Sequence, residues 1–127
     1  MEENHAYSEI IGSASAPYIN SLASQGALMT NSFAITHPSE PNYLDFFSGS
    51  NQGITTDSVD TPGSLSSANL GQEFRAKGLT WGAYIEGITG YDHDHAPWDE
   101  WNNNGTPGTE HDFSTWPTDF TQLPKFK

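Results

Sequence analysis

Residues 36–50 read THPSEPNYLDFFSGS and place one serine, Ser39, between two prolines ahead of an apolar run that ends in glycine. The spacing of that run predicts a helix from about Pro41 to Ser48. A serine just before a helix is commonly its N-cap, and its side-chain oxygen then accepts a hydrogen bond from a first-turn N–H. A serine held at a helix start can also act as a nucleophile toward an anion bound at the helix N-terminus. The stretch by itself leaves both interpretations of Ser39 open.

The residues before this stretch predict a helix followed by a strand. Pro17 suits the first position of a helix, and Gly26 is a typical stop, so we predict a helix from Pro17 to Gln25. Residues 27–35, ALMTNSFAI, form a short apolar and β-branched run that is typical of a strand. The local order is therefore helix, strand, loop, helix.

The residues after the stretch repeat this alternation. Residues 49–66 have many turn-forming residues and no periodicity, which predicts a long loop of the kind that often carries function. Leu70 and Phe74 lie one turn apart in a predicted helix that stops at Gly78, and residues 79–87, LTWGAYIEG, alternate as a strand does. The pattern predicts a single α/β domain with a mainly parallel sheet, whose ligand site lies where strands run into helix starts.

The charge of the chain limits the classes of ligand that it can bind. The formal net charge is -12, from 16 acidic residues against four basic ones, which are Arg75, Lys77, Lys125 and Lys127. So few cations cannot neutralise a nucleic-acid backbone, so we expect no nucleic-acid binding. An anionic substrate would need a bound cation as mediator. The chain has no cysteine, which excludes disulfides and thiolate zinc sites. Neither a membrane span nor a signal peptide is recognisable in the sequence.

Several segments, taken in order, resemble one family of enzymes. They are MEENHAYSEIIG at the start, APYINSLASQGALMTNSFAITHPSEPNYLDFFSGS, GLTWGAYIEG and YDHDHAPW. Together they resemble the phosphoesterase family of acid phosphatases and phospholipases C, within the alkaline-phosphatase-like superfamily. The resemblance implies a layered α/β/α fold and a hydrolase of phosphoric esters that works through a phosphoserine intermediate.

The resemblance assigns metal ligands and a nucleophile. In the family a Glu-Asn pair binds metal, and Glu3 and Asn4 match it; the nucleophile stands two residues before a Pro-Asn pair, which makes it Ser39. Ser39 would also contact the metal. Glu3 and Asn4 offer hard oxygen ligands that suit a divalent cation of unknown identity, which would activate a serine hydroxyl. Without the resemblance, these two residues would be interpreted as a solvated amino terminus.

Three further residues are candidates for substrate contact. His95 and Pro97 match a His-x-Pro element, so His95 could contact the substrate or act as an acid, and Asp57 falls where superfamily members hold a substrate oxygen. Asn42 is a candidate for substrate binding, although together with Tyr43 it could instead fix the nucleophile loop. The cluster Asp92, His93, Asp94 and His95 is dense enough for a metal site, but it lacks a defined ligand spacing. Trp98 and Trp101 are expected to be core or pocket wall.

The resemblance also indicates a chain that matches only part of the family domain. Family members have a strand before the Glu-Asn pair and a late Asp/His cluster, and neither has a counterpart in residues 1–127, so we expect a partial domain with little activity of its own. The leading function is an acid phosphatase that acts on small phosphate monoesters. A phospholipase C or phosphodiesterase is the near alternative, and a carbohydrate-binding or other interaction module is the distant one. The resemblance implies secretion or a periplasmic location.

Overall fold

A computed structural model describes residues 5–57, 62–87, 89–90, 93–102 and 110–116. The chain divides into two compact units, residues 1–33 and residues 34–127. Ser39 and the candidate substrate residues all belong to the second unit. No helix in these described ranges is long and apolar enough to cross a membrane.

The first unit contains two helices, α1 (Tyr7–Ile10) and α2 (Pro17–Gln25). Pro17 occupies the first turn of α2, where its missing N–H costs no hydrogen bond. At the other end, the Gly26 N–H donates to the Leu22 carbonyl at 2.9 Å. The predicted helix from Pro17 to Gln25 is confirmed with both of its bounds.

Asn20 fixes the loop between these helices. Its side-chain Oδ1 accepts the Gly12 N–H at 2.6 Å, and its Nδ2 donates to the carbonyls of Ile10 at 2.9 Å and Ala16 at 2.8 Å. One amide side chain thus bonds to the loop backbone at Gly12 and to carbonyls at the end of α1 and the start of α2.

The prediction of a strand over residues 27–35 is wrong. These residues form turns, bends and irregular backbone. Two of their large apolar side chains are open to solvent, with Met29 71% and Phe33 81% exposed. An apolar, β-branched run favours a strand only where a neighbouring strand pairs with its backbone and buries one face. The sequence of the run cannot supply that neighbour.

Two α-helices belong to the described part of the second unit, α3 (Ser39–Ser48) and α4 (Leu70–Ala76). α3 begins two residues before the predicted start and ends at Gly49, whose φ of 75° is the left-handed conformation that glycine adopts easily. α4 begins after Asn69, whose side chain accepts the Gln72 N–H at 2.9 Å. The helix predicted through Leu70 is confirmed, with a local side chain as its N-cap.

The described strands form a small parallel pair. β1 (Ala83–Ile85) lies beside β2 (Glu110–Asp112), with Ala83 opposite Glu110 and Ile85 opposite Asp112. β1 is the central part of the strand predicted over residues 79–87. The predicted α/β fold with parallel strands is confirmed. β2 has no signal in the sequence, because its three residues are polar and do not alternate.

The core of the second unit lies under one face of α3. Leu44, Phe47 and Trp101 are buried, with Leu44 fully enclosed, and four partly buried side chains pack around them: Ile54, Leu65, Trp81 and Trp98. Two 3-10 turns, η1 (His93–His95) and η2 (Pro97–Glu100), pack against α3, and a third, η3 (Phe113–Thr115), follows β2. The expectation that Trp98 and Trp101 serve the core is confirmed.

Candidate active site

Ser39 is the first residue of α3 and is half-buried. The N-cap position belongs to Pro38, which follows a cis peptide bond and makes no side-chain cap hydrogen bond. The N-cap interpretation of Ser39 is therefore wrong, because Ser39 is already helical. The N–H of Glu40, in the first turn, is instead bound by the side chain of Asp57, with 2.8 Å between the nitrogen and Oδ1.

Asn42 holds the loop that leads into Ser39. Its Oδ1 accepts the Thr36 N–H at 3.1 Å, and its Nδ2 donates to the carbonyls of Thr36 at 2.9 Å and Pro38 at 2.8 Å. These bonds join the first turn of α3 to the three residues before it. They support the interpretation that Asn42 fixes the nucleophile loop, while its contact with substrate stays a prediction.

Replacing Asn42 by alanine is expected to lower the free energy of unfolding by about 2 kcal/mol, because part-buried backbone groups of Thr36 and Pro38 lose their partners. Asn42→Asp should be destabilising as well, since it places a second acceptor against two carbonyl oxygens. Urea unfolding at constant pH measures both values.

A matched control for this prediction is Asn51→Ala. Asn51 accepts only a short-range hydrogen bond from the Gly53 N–H, at 3.0 Å, among the described contacts of its side chain. We expect a change of about 0.5 kcal/mol or less for this variant. An Asn42→Asp protein as stable as the original would mean that donation to the loop carbonyls is unimportant.

His95 lies against the same helix as Ser39. Its ring meets the ring of Tyr43 edge to face, with 5.5 Å between centroids. Tyr43 is one helical turn after Ser39, so the two side chains share a face of α3. The structure thus brings His95 to the helix that carries the predicted nucleophile.

The acidic and histidine-rich cluster is held by a side-chain hydrogen bond that could not be predicted from the sequence. His93 Nδ1 lies 2.7 Å from Asp99 Oδ2, which links η1 to η2. Asp92 lies outside the described residues. Within the described part of the chain, no group of three or more His, Cys, Asp or Glu side chains is placed to hold a metal.

The predicted metal ligands Glu3 and Asn4 lie outside the described residues. Of the other predicted site residues, Ser39, Asn42 and Asp57 meet at the start of α3, and His95 packs on the helix one turn further along. The structure therefore collects four predicted residues, which come from three segments of the chain, around one helix.

Two buried carboxylate side chains were missed by the sequence reasoning. Glu40 and Glu100 are each 1% exposed. For Glu40 the sequence contains a usable signal, since Glu40, Leu44 and Phe47 are spaced as one face of a helix, and that face is buried. The acidic character of Glu40 concealed it, because charged side chains are rarely buried.

Comparisons with known proteins identify the family of this chain. The profile of the Phosphoesterase family matches residues 6–127. A phosphatidylinositol-3-phosphatase of Mycobacterium tuberculosis is 40% identical over 113 residues, which cover 81% of this chain and 38% of that protein. An acid phosphatase of Aspergillus fumigatus is 41% identical over 66 residues, covering 51% of this chain and 14% of the relative. A probable acid phosphatase of Kluyveromyces lactis is 36% identical over 85 residues, covering 66% and 19%.

No solved structure matches the chain. The chain spans well under half the length of these curated relatives. Because the family profile covers nearly every residue, from Ala6 to Lys127, this chain belongs to the Phosphoesterase family.

Proposed function

We propose that the protein is a metal-dependent phosphoesterase that hydrolyses phosphate monoesters through a phosphoserine intermediate on Ser39. The observation that carries this proposal is that Ser39, which the family motif selects as the nucleophile, is the first residue of α3 and shares a helix face with Tyr43, on which the His95 ring packs. Membership of the Phosphoesterase family supports the reaction class. The relatives named as acid phosphatases and as a phosphatidylinositol-3-phosphatase support monoesters as substrates.

The proposed reaction has two steps at phosphorus. In the first, Ser39 Oγ loses its proton to solvent and forms a bond to phosphorus, the bond to the ester oxygen breaks, and the leaving alcohol takes up a proton. In the second, water attacks the phosphoserine, the bond from Ser39 Oγ to phosphorus breaks, and the serine regains a proton as phosphate leaves. His95 is the candidate donor of the first proton, since its ring packs against Tyr43, which lies on α3 one helical turn after Ser39.

Charge stabilisation is the main requirement of this reaction, because phosphoryl transfer spreads negative charge over the phosphate oxygens. This chain has four basic side chains, and none occurs in the first 74 residues. A bound divalent cation would supply the missing positive charge. The predicted ligands Glu3, Asn4 and Ser39 would offer a carboxylate oxygen, an amide oxygen and a hydroxyl, and hard oxygen donors of these kinds suit such a cation.

The distant alternative, a carbohydrate-binding module, is disfavoured by where the tryptophans lie. Sugar binding uses exposed aromatic rings in a row. Trp101 is buried, Trp81 and Trp98 pack against the core, and Trp116 has 42% of its surface exposed. Three of the four tryptophans are therefore used to stabilise the fold.

A substrate comparison tests the proposal and its near alternative, a phospholipase C or phosphodiesterase. The full-length protein would be given p-nitrophenyl phosphate, phosphatidylinositol 3-phosphate in vesicles, bis(p-nitrophenyl) phosphate and phosphatidylcholine. We expect phosphate release from the two monoesters at rates at least tenfold above cleavage of the two diesters.

Release of diacylglycerol from phosphatidylcholine, without turnover of the monoesters, would contradict the proposal and support the phospholipase alternative. Activity on phosphatidylinositol 3-phosphate in particular would extend to this protein what the name of its mycobacterial relative states. On the family resemblance we also propose that the protein is secreted or periplasmic, which fractionation of the producing cells would test.

A further inference from the structure

The start of α3 is held by a side chain that comes from far along the chain. Asp57 lies 17 residues after Glu40, and its Oδ1 accepts the Glu40 N–H at 2.8 Å. Asp57 is itself exposed, while the hydrogen bond is partly buried. The superfamily resemblance predicts a different role for Asp57, which is to hold a substrate oxygen.

The first turn of α3 has few other ways to satisfy its backbone. Pro38 at the N-cap position has no side-chain acceptor, and Pro41 has no N–H. The first-turn N–H groups of a helix have no partner within the helix. A carboxylate at this end also interacts favourably with the helix dipole. Asp57 thus performs the task that a local N-cap side chain usually performs.

The loop that carries Asp57 is itself anchored by contacts within the second unit. Gln52 Nε2 donates to Ser48 Oγ at 2.9 Å, and the Ile54 N–H donates to the Asn51 carbonyl at 2.9 Å. Ile54 also packs against the core cluster of Leu44, Phe47 and Trp101. These contacts therefore hold the loop after α3 in place as it leads back to the start of the same helix.

This contact explains why α3 begins at Ser39 rather than at Pro41, where the local pattern predicts its start. We propose that Asp57 is a positioning residue: by accepting the Glu40 N–H, it keeps Ser39 helical and aims the serine hydroxyl at the phosphate. The inference rests on the proposed function for its effect on catalysis, but the geometric part concerns the Glu40 backbone alone.

Two substitutions separate positioning from direct binding. Asp57→Asn keeps an oxygen that can accept the Glu40 N–H but removes the charge, whereas Asp57→Ala removes the acceptor. We expect Asp57→Ala to lower kcat by about tenfold or more, with KM changed by about twofold or less, because misplacing a reacting group slows the chemical step. Asp57→Asn should restore most of kcat.

Hydrogen exchange at the Glu40 amide, measured by NMR on the full-length protein, is a readout that does not depend on activity. Exchange should be faster in Asp57→Ala than in the original protein and close to the original rate in Asp57→Asn. Glu73→Ala is the matched control, since it removes an exposed acidic side chain from the first turn of α4. It should change neither kcat nor Glu40 exchange.

If Asp57→Ala folds, three results would overturn the inference. Equal loss of kcat in Asp57→Asn and Asp57→Ala, with raised KM, would assign the charge of Asp57 to substrate or metal. Unchanged Glu40 exchange in Asp57→Ala would remove the structural contact, and full activity in that variant would remove the positioning role.

If the protein showed no phosphatase activity at all, the proposed function would fail, while faster Glu40 exchange in Asp57→Ala would still support the contact. Should Asp57→Ala not fold, Asp57→Asn decides alone: it must fold with slow Glu40 exchange, and a failure to do so overturns the inference.

Discussion

Replacing Ser39 by alanine is expected to reduce phosphate release from monoesters by at least about a thousandfold in the full-length protein, because the substitution removes the attacking oxygen. The free energy of unfolding should change by about 0.5 kcal/mol or less, since Ser39 is the first helical residue of α3 and not its N-cap. Steady-state phosphate release and urea unfolding of the same preparation measure both quantities. An N-cap serine would give the opposite result, a loss of about 1 kcal/mol in stability with activity retained.

Ser24→Ala is the control for this prediction. It makes the same chemical change in α2, where the exposed Ser24 hydroxyl donates to the Ser21 carbonyl at 2.8 Å. We expect that variant to keep its activity within about twofold, as is usual for substitutions away from a reacting centre. Turnover by Ser39→Ala at the rate of the original protein would remove Ser39 from the mechanism. A covalent phosphoserine, trapped by acid quenching and found by mass spectrometry at Ser39, would support the same mechanism directly.

Removal of divalent metal is expected to have the second large effect. Chelation by EDTA should reduce activity by at least about a hundredfold, because the chain has too few basic side chains to balance the charge of the transition state. Adding back Mg²⁺, Mn²⁺, Ca²⁺ or Zn²⁺ in turn should restore activity and identify the metal. Full activity in metal-free buffer would contradict metal dependence.

Glu3→Gln tests the predicted ligand set within the same experiment. Replacing a carboxylate by a neutral amide should raise the metal concentration for half-maximal activity by about tenfold or more. Glu2→Gln removes the adjacent charge and should leave that concentration within about twofold. Metal content after equilibrium dialysis gives a second readout, which does not depend on turnover. If Glu3→Gln and Glu2→Gln needed the same metal concentration for half-maximal activity, Glu3 would not be a ligand.

The helices α2 and α4 could be predicted from the sequence because their signals are local. Pro17 and Gly26 delimit α2, and Asn69 caps α4 with a hydrogen bond to a residue three positions along. The composition predicts the need for a cation in any site for phosphate, and this stays a prediction. Several segments, taken in order, predicted the family, and the family profile confirms it.

The strands depended on contacts that a local pattern does not contain. Residues 27–35 have the composition of a strand and form none, whereas the polar residues of β2 become a strand because β1, 27 positions earlier, pairs with them. Backbone pairing decides strand formation, and a pairing partner distant in the chain leaves no trace in a short window of sequence.

In the candidate site, too, some residues were predictable from local sequence and others were placed only by contacts from distant segments. Once several segments had indicated the family, the contiguous motif in HPSEPNY selected Ser39 and Asn42 as candidates. The tertiary structure alone decided that α3 begins at Ser39, that His95 packs on Tyr43, and that His93 bonds to Asp99. Each of these outcomes depends on a hydrogen bond or ring contact from another segment, whose free energy outweighs the local preference of the backbone.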